Sequence, residues 1–284
     1  MEQDASVEML ATRWAAPPVD SNALETLHAA EAHFPVSLIS TESSKLQCCK
    51  VDETAAQAVA RPLAGDFDHL PVKTEDGIIG LFSRKRKYIR QTVGDVMTPL
   101  NEKILMSADA GMIHFLEEAD RRPFVFLVKG DCISGAVTLS DIQKVAARPP
   151  IFLRLTLFEI LLTNWIRERV GEDEKAWLKH VSKKANKDIN EQYTKRKKAG
   201  DDVDKLSLAT LKPKIDAALR MGAFRNVSNS QNSLNQLRVF RNQVAHADEF
   251  GADQVAASAV PKHLRLLREF IARFDGGKYE HPVI

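Results

Sequence analysis

Two copies of one short pattern dominate the first half of this chain and limit what it can fold into. The first copy runs through Leu70-Pro71-Val72-Lys73-Thr74, turns at Asp76-Gly77, and returns through Ile78-Ile79-Gly80-Leu81-Phe82-Ser83. The second runs through Phe124-Val125-Phe126-Leu127-Val128, turns at Lys129-Gly130-Asp131, and returns through Ile133-Ser134-Gly135-Ala136-Val137-Thr138. Apolar runs interrupted by a Gly-containing turn predict hairpins. A helical stretch precedes each hairpin, at Glu53 to Ala60 and at Ala110 to Ala119, and another follows each, the second starting at Ser140. A β-α-β-β-α unit cannot bury its sheet face alone, so the two copies are expected to pack together.

The pattern stops at Arg148-Pro149-Pro150. Two prolines cannot continue a helix and restrict the residue before them. Beyond this point nearly everything reads as helix. The expected class is α+β, with a helical extension over 1–34 (a helix around Asn22 to Ala32), a repeat domain over 35–148 and an all-helical domain over 149–284.

Charge follows the same division. Residues 1–150 carry 16 Lys and Arg against 21 Asp and Glu, and residues 151–284 carry 24 against 17. An acidic half of −5 beside a basic half of +7 points to the C-terminal half as the one that meets a polyanion, with an ordinary basic surface as the other reading. The three cysteines, Cys48, Cys49 and Cys132, are odd in number and lack metal spacing, which argues against a disulfide framework or a zinc site. Met1 to Ala16 has acids where a signal peptide has bases. The most apolar segment, Ile151 to Ile166, is short and broken by Arg154 and Glu159, so no membrane span is expected. A cytoplasmic protein follows as the expectation.

Residues 35–147 resemble a tandem pair of CBS domains, modules of the cystathionine-β-synthase type. The strings that carry the resemblance are Asp68-His69-Leu70-Pro71-Val72, Val93-Gly94-Asp95-Val96-Met97-Thr98 and Gly135-Ala136-Val137-Thr138-Leu139-Ser140-Asp141. The last is the specific one. The resemblance implies an adenosine-nucleotide site there, for AMP, ATP or a related compound, formed by Gly135, Thr138, Ser140 and Asp141. Asp141 would accept from the ribose hydroxyls and Thr138 would bond ribose or phosphate. A carboxylate, acceptor-only, suits a diol, and a strand-to-helix junction presents free N–H groups to phosphate. Ser140 or Asp141 serving simply as a helix cap is the structural alternative. The first copy departs from the pattern, since Arg86 stands where the Asp should be. Arg84 and Arg86, within the run Arg84 to Lys87, then either hold phosphate or form a solvated face. One standard nucleoside site is expected, not two.

In the helical half, Leu153, Leu157, Phe158, Leu161, Leu162, Trp165 and Ile166 lie all around a helix over 151–170, which predicts burial on more than one side. Glu159 inside it is either a paired acid or a polar residue at a site. Residues 171–212 are highly charged, and Lys195-Arg196-Lys197-Lys198 reads as a solvated loop or helix end, or as a clamp on an RNA backbone. A helix is expected over Pro213 to Met221, and a final one after Pro261. Between them, Leu234, Leu237, Phe240, Val244 and Ala245 form an apolar stripe over Asn229 to Glu249. Arg241 falls at its edge, and Asn242 and His246 share a polar face. Arg241 and His246 are about 140° apart around a helix, so one copy does not aim both at one atom. Two copies related by a two-fold axis would.

Four helices with Arg241-Asn242-Gln243-Val244-Ala245-His246 on the third, over about residues 150–275, resemble the HEPN family of RNA-cleaving toxins and effectors. The resemblance implies metal-independent RNA cleavage at a homodimer interface. His246 would be the general acid/base, with an imidazole suited to neutral pH. Arg241 would hold the scissile phosphate, and Asn242 would orient His246 or the phosphate. The products would be a 2′,3′-cyclic phosphate and a 5′-hydroxyl. Arg241 pairing with Asp248 or Glu249, and His246 packing locally, is the structural alternative. Together the two resemblances imply a nucleotide-regulated endoribonuclease of a stress or phage-defence kind. The rival is a non-catalytic nucleotide sensor whose helical domain dimerises or docks a partner or RNA.

Overall fold

The computed structural model describes residues 23–62, 67–85, 90–171, 173, 175–225, 229–246, 250 and 253–274. Its elements, in chain order, begin with α1 (Ala23–Glu31), β1 (Thr41–Glu42), β2 (Cys49–Lys50), α2 (Ala55–Ala60), β3 (His69–Thr74) and β4 (Gly77–Ser83). There follow α3 (Val93–Val96), β5 (Thr98–Pro99), β6 (Leu105–Ser107), α4 (Met112–Glu118), β7 (Phe124–Lys129) and β8 (Cys132–Thr138). The remaining helices are α5 (Arg148–Val170), α6 (Lys183–Lys198), α7 (Leu211–Met221), α8 (Ser230–Ala245) and α9 (Gln254–Phe274). The class is mixed α+β. Two compact units emerge, one made of Thr26–Arg154 with Arg241–Leu266, the other built around Leu155–Phe240 and the segment from Leu267 onward.

The first unit contains both repeats, and each makes a four-stranded sheet, ordered β2-β3-β4-β5 and β1-β8-β7-β6. In each, a short strand runs parallel to the hairpin on one side, β2 on β3 and β6 on β7. The other edge is closed antiparallel by a strand that precedes the opposite copy: β5 pairs with β4, and β1 pairs with β8. Both hairpins shift register at matching places, between Val72 and Lys73 and between Leu127 and Val128. The equivalence reaches single residues. A Cβ on Gly80 would sit 2.6 Å from the Thr98 carbonyl oxygen, and one on Gly135 would sit 2.5 Å from that of Thr41. Both glycines exist to let the closing strand approach.

Capping starts the short helices. Thr54 and Gln57 form a reciprocal cap on α2, and Thr92 and Asp95 form one on α3. Leu70, Val72, Phe82 and Val93 fill the core of the first copy with Cys49, Ala55 and Ala58. A second core joins the copies: Leu81 packs with Phe124, Phe126 and Ala136. Phe124 and Phe126 meet edge to face with centroids 4.9 Å apart. At the start of α5, Arg154 is 2% exposed and lies between two acids. It bonds Glu31 of α1 at 2.5 and 3.1 Å and Glu117 of α4 at 2.5 Å. Nearby, Arg265 of α9 grips Asp120 through both nitrogens, at 2.9 and 2.6 Å.

The second unit is helical, with an aromatic centre. Phe224 meets Phe270 edge to face at 5.1 Å and Phe274 at 5.5 Å, Phe158 packs against both phenylalanines, and Trp165 packs against Phe274. Glu159 is paired, with Lys214 at 2.8 Å.

Several local expectations need correction. Pro149 and Pro150 do not stop a helix; they lie in the first turn of α5, where a missing N–H costs nothing. Pro261 lies inside α9, which starts seven residues earlier than the proline suggests. The segment after β8 is two 3-10 stretches, Leu139–Gln143 and Val145–Ala147, not an α-helix. The run Lys195 to Lys198 needs no correction: it is a helix end, the last turn of a 16-residue helix. Five α-helices therefore follow residue 147 among the described residues, and the R-N-x-x-x-H string begins on the fourth. The helix α5 is buried on more than one side, as expected, with Phe152 at 42% and Ile160 at 38% on its exposed face.

Candidate nucleotide cleft and candidate catalytic segment

A cleft of about 720 Å³ opens in the first unit, lined by residues of both repeats. From the second repeat come Phe124, Ala136, Thr138, Leu139, Ser140 and Asp141, and from the first come Asp68, His69, Leu70, Pro71 and Lys85. Lys45, Leu46 and Ala257 complete the wall. The size suits a small organic ligand of several rings. Three of the four residues expected to hold a nucleoside, Thr138, Ser140 and Asp141, thus share one wall. Gly135 does not line the cleft; its place is the close crossing of β1.

The junction is tightly wired. Asp141, 7% exposed, accepts through Oδ2 from the Thr138 N–H at 2.6 Å and the Thr138 hydroxyl at 2.9 Å. Its Oδ1 faces Lys144 Nζ at 2.7 Å. Lys144 also donates to the carbonyls of Ile39 and Ser40, at 2.6 and 3.1 Å. Ser140 Oγ lies 2.8 Å from Thr138 Oγ1. The capping role is therefore real. A carboxylate offers about four acceptor positions, and the bonds from Thr138 and Lys144 take up three of them.

His69 faces Phe124 across the cleft with ring centroids 5.9 Å apart. Burial lowers its pKa from the ordinary value, the Asp68 carboxylate opposes that shift, and Lys85 reinforces it. Lys85 pairs with Asp68 at 2.7 Å. The Arg84 side chain turns elsewhere and donates to the carbonyls of Phe67, Val59 and Arg61. Lys85, not Arg84, is thus the basic residue of this turn in the cleft. Arg86 lies outside the described residues. Sequence reasoning covered Lys85 only as part of the run Arg84 to Lys87, and assigned no role to His69, Lys45, Phe124 or Lys144. His69 and Phe124 stood within strings that carried the repeat, but nothing local shows that two strands 55 residues apart face one space.

The second candidate lies at the end of α8. Arg241 is half-buried, and Asn242 and His246 are exposed. The helix ends at Ala245, and the His246 N–H closes the last turn on the Asn242 carbonyl at 3.0 Å. The His246 carbonyl accepts from Arg148 at 3.4 Å. Asp248 and Glu249, the acids proposed to pair with Arg241, lie outside the described residues. The basic end of α6 is partly compensated: Arg196 pairs with Asp201 at 3.2 Å and Lys197 with Asp202 at 3.3 Å. Among the described residues no group of three or more His, Cys, Asp or Glu is placed to hold a metal, and no helix is long and apolar enough to cross a membrane.

No family model and no curated protein matches this chain. Solved structures similar to part of it are CBS-domain structures. The CBS domain of a bacterial CNNM/CorC family Mg2+ transporter in complex with ATP is 20% identical over 43% of this chain and 92% of that one, with a TM-score of 0.35. Another structure of the CBS domain of a bacterial CNNM/CorC family Mg2+ transporter is 20% identical over 45% and 82%, at 0.35. A hemolysin-like protein containing a CBS domain, from Oenococcus oeni PSU, is 19% identical over 42% and 93%, at 0.33.

Proposed function

We propose that this chain is an adenine-nucleotide-responsive regulator, with a CBS-type pair as sensor and the helical region as output. The cleft that unites both repeats around Thr138, Ser140 and Asp141 carries this reading. It pairs apolar walls for a base with a carboxylate for a diol and the Lys45 and Lys85 ammonium groups for phosphate. Titration of the purified protein with AMP and ATP by calorimetry tests it. Saturable binding that Asp141→Ala weakens by about tenfold or more is expected, from loss of hydrogen bonds to a charged acceptor. Equal affinity in wild type and variant sinks the ribose assignment.

For the output we propose metal-independent RNA cleavage at a site shared by two copies. The exposure of Asn242 and His246 at one helix end, beside half-buried Arg241, favours it. Arg241 would stabilise charge on the phosphate, and His246 would move the proton of the 2′-hydroxyl. RNA incubated with the protein in EDTA, with and without nucleotide, separates this from the rival. Cleavage lost in Arg241→Ala and His246→Ala supports the site. Cleavage intact in both variants places it elsewhere, and none under any nucleotide condition favours a non-catalytic docking module.

A further inference from the structure

A second cavity, of about 610 Å³, lies in the helical unit, and three arginines line it: Arg169, Arg225 and Arg273. They arrive from three separate places. Arg169 stands in the last turn of α5, Arg273 in the last turn of α9, and Arg225 just beyond α7. Among the described residues, none of the three has an ion pair or a hydrogen bond to its side chain. Three guanidinium groups facing one space repel one another in the absence of an anion.

Two of them are held in place without a carboxylate. The Arg169 guanidinium lies over the Trp165 ring, 5.4 Å from its centroid. Arg225 folds back over the α7 cap, so closely that a Cβ on Gly222 would lie 2.5 Å from its Nε. Gly222 itself has φ of +91°, which a side chain would strain. All three arginines are exposed, and these two contacts restrict Arg169 and Arg225 to positions beside the cavity.

Helix polarity gives a simpler account, since cations near helix C-termini offset the dipole. The magnitudes decide against it as the full account. Each of three helix ends carries roughly half a negative charge, so the three arginines exceed the helix ends they sit on by roughly one and a half positive charges.

We infer that this cavity is a phosphoanion-binding site, separate from the nucleotide cleft. Guanidinium forks match phosphate oxygens in a bidentate manner that a lysine cannot reproduce. The phosphate is either a free anion or part of an RNA strand. The inference stands on the arginine geometry alone and survives failure of the nucleotide or cleavage readings.

The full chain, in EDTA, is titrated with inorganic pyrophosphate by calorimetry, with tryptophan fluorescence recorded on the same samples. Saturable binding is expected, with a fluorescence change that Trp165→Phe removes. Arg225→Lys and Arg273→Ala are expected to weaken binding about tenfold or more, whereas Lys179→Ala on the same unit leaves it unchanged. Melting curves of each variant establish that it is folded. Displacement of pyrophosphate by short single-stranded RNA identifies strand phosphate as the ligand, and failure to displace it identifies a free anion. Absence of pyrophosphate binding at millimolar concentration overturns the inference. So does a folded Arg225→Lys, Arg273→Ala double variant that binds like wild type.

Discussion

Arg154 shows what a single side chain can do in this protein. It is long and charged, and its sequence position inside an apolar run marks it only as an obstacle to a membrane span. In the structure it is buried between Glu31 and Glu117. Removing the arginine takes from both acids their shared positive partner, at about 3–5 kcal/mol. Arg154→Ala is therefore expected to lower the free energy of urea unfolding by about that amount. Asp120 carries a pH signature of the same type. Its hydrogen bonds from Arg265 hold its carboxyl below the usual carboxylate range, against a smaller opposing effect of burial. The stability this provides is present above the unfolded pKa and is lost as pH falls through the folded one. Asp120→Asn is expected to flatten the acid limb of a stability-versus-pH curve below about pH 4. His69 has the opposite protonation sense. Its lowered pKa keeps the ring neutral in the folded state, so stability falls as pH drops through the ordinary histidine range. His69→Phe is expected to reduce that loss between about pH 7 and 5.

At the scale of elements, the two sheets are completed by exchange. β5 and β1 are two-residue strands that close the sheet of the opposite copy. A hairpin with only one partner strand is a weak structure, and the closing strand stabilises it by covering an open edge. Gly80 and Gly135 sit where that closure needs a bare Cα. Gly80→Ala and Gly135→Ala are each expected to cost about 1–3 kcal/mol through overpacking. Hydrogen exchange tests the cause, because faster exchange should be confined to the closing strand of the affected sheet. Equal protection there in wild type and variant removes the closure argument. The hairpins themselves were legible from apolar runs and Gly turns, because those signals are local. The closing strands were not, since Thr41-Glu42 and Thr98-Pro99 carry no strand pattern of their own. The helix limits failed in the same way: Pro149 and Pro150 look like a stop and Pro261 like a start, yet helices accept them where the neighbouring hydrogen bonds allow.

At the scale of the whole molecule, the proposed catalysis depends on a second copy. Arg241 and His246 are about 140° apart on one helix, and the structure ends α8 between them. A shared site makes a sharp prediction. Arg241→Ala and His246→Ala proteins, each inactive alone, are expected to recover partial RNA cleavage when mixed and allowed to exchange subunits. The heterodimer then contains one site with an intact arginine from one copy and an intact histidine from the other. No recovery, with exchange established by mass spectrometry, rules out the shared arrangement. The sequence alone determined the repeat, the charge division, the Thr138 to Asp141 junction and the R-N-x-x-x-H string, because strand period, turn chemistry and residue type are all local properties. Tertiary structure alone decided that Gly135 meets the closing strand β1, that His69 and Lys85 join Asp141 in one cleft, and that Arg169, Arg225 and Arg273 line one cavity. Those outcomes rest on pairings between residues far apart in the chain. Such pairings are selected by burial and close packing of the folded whole, and no short stretch of sequence records them.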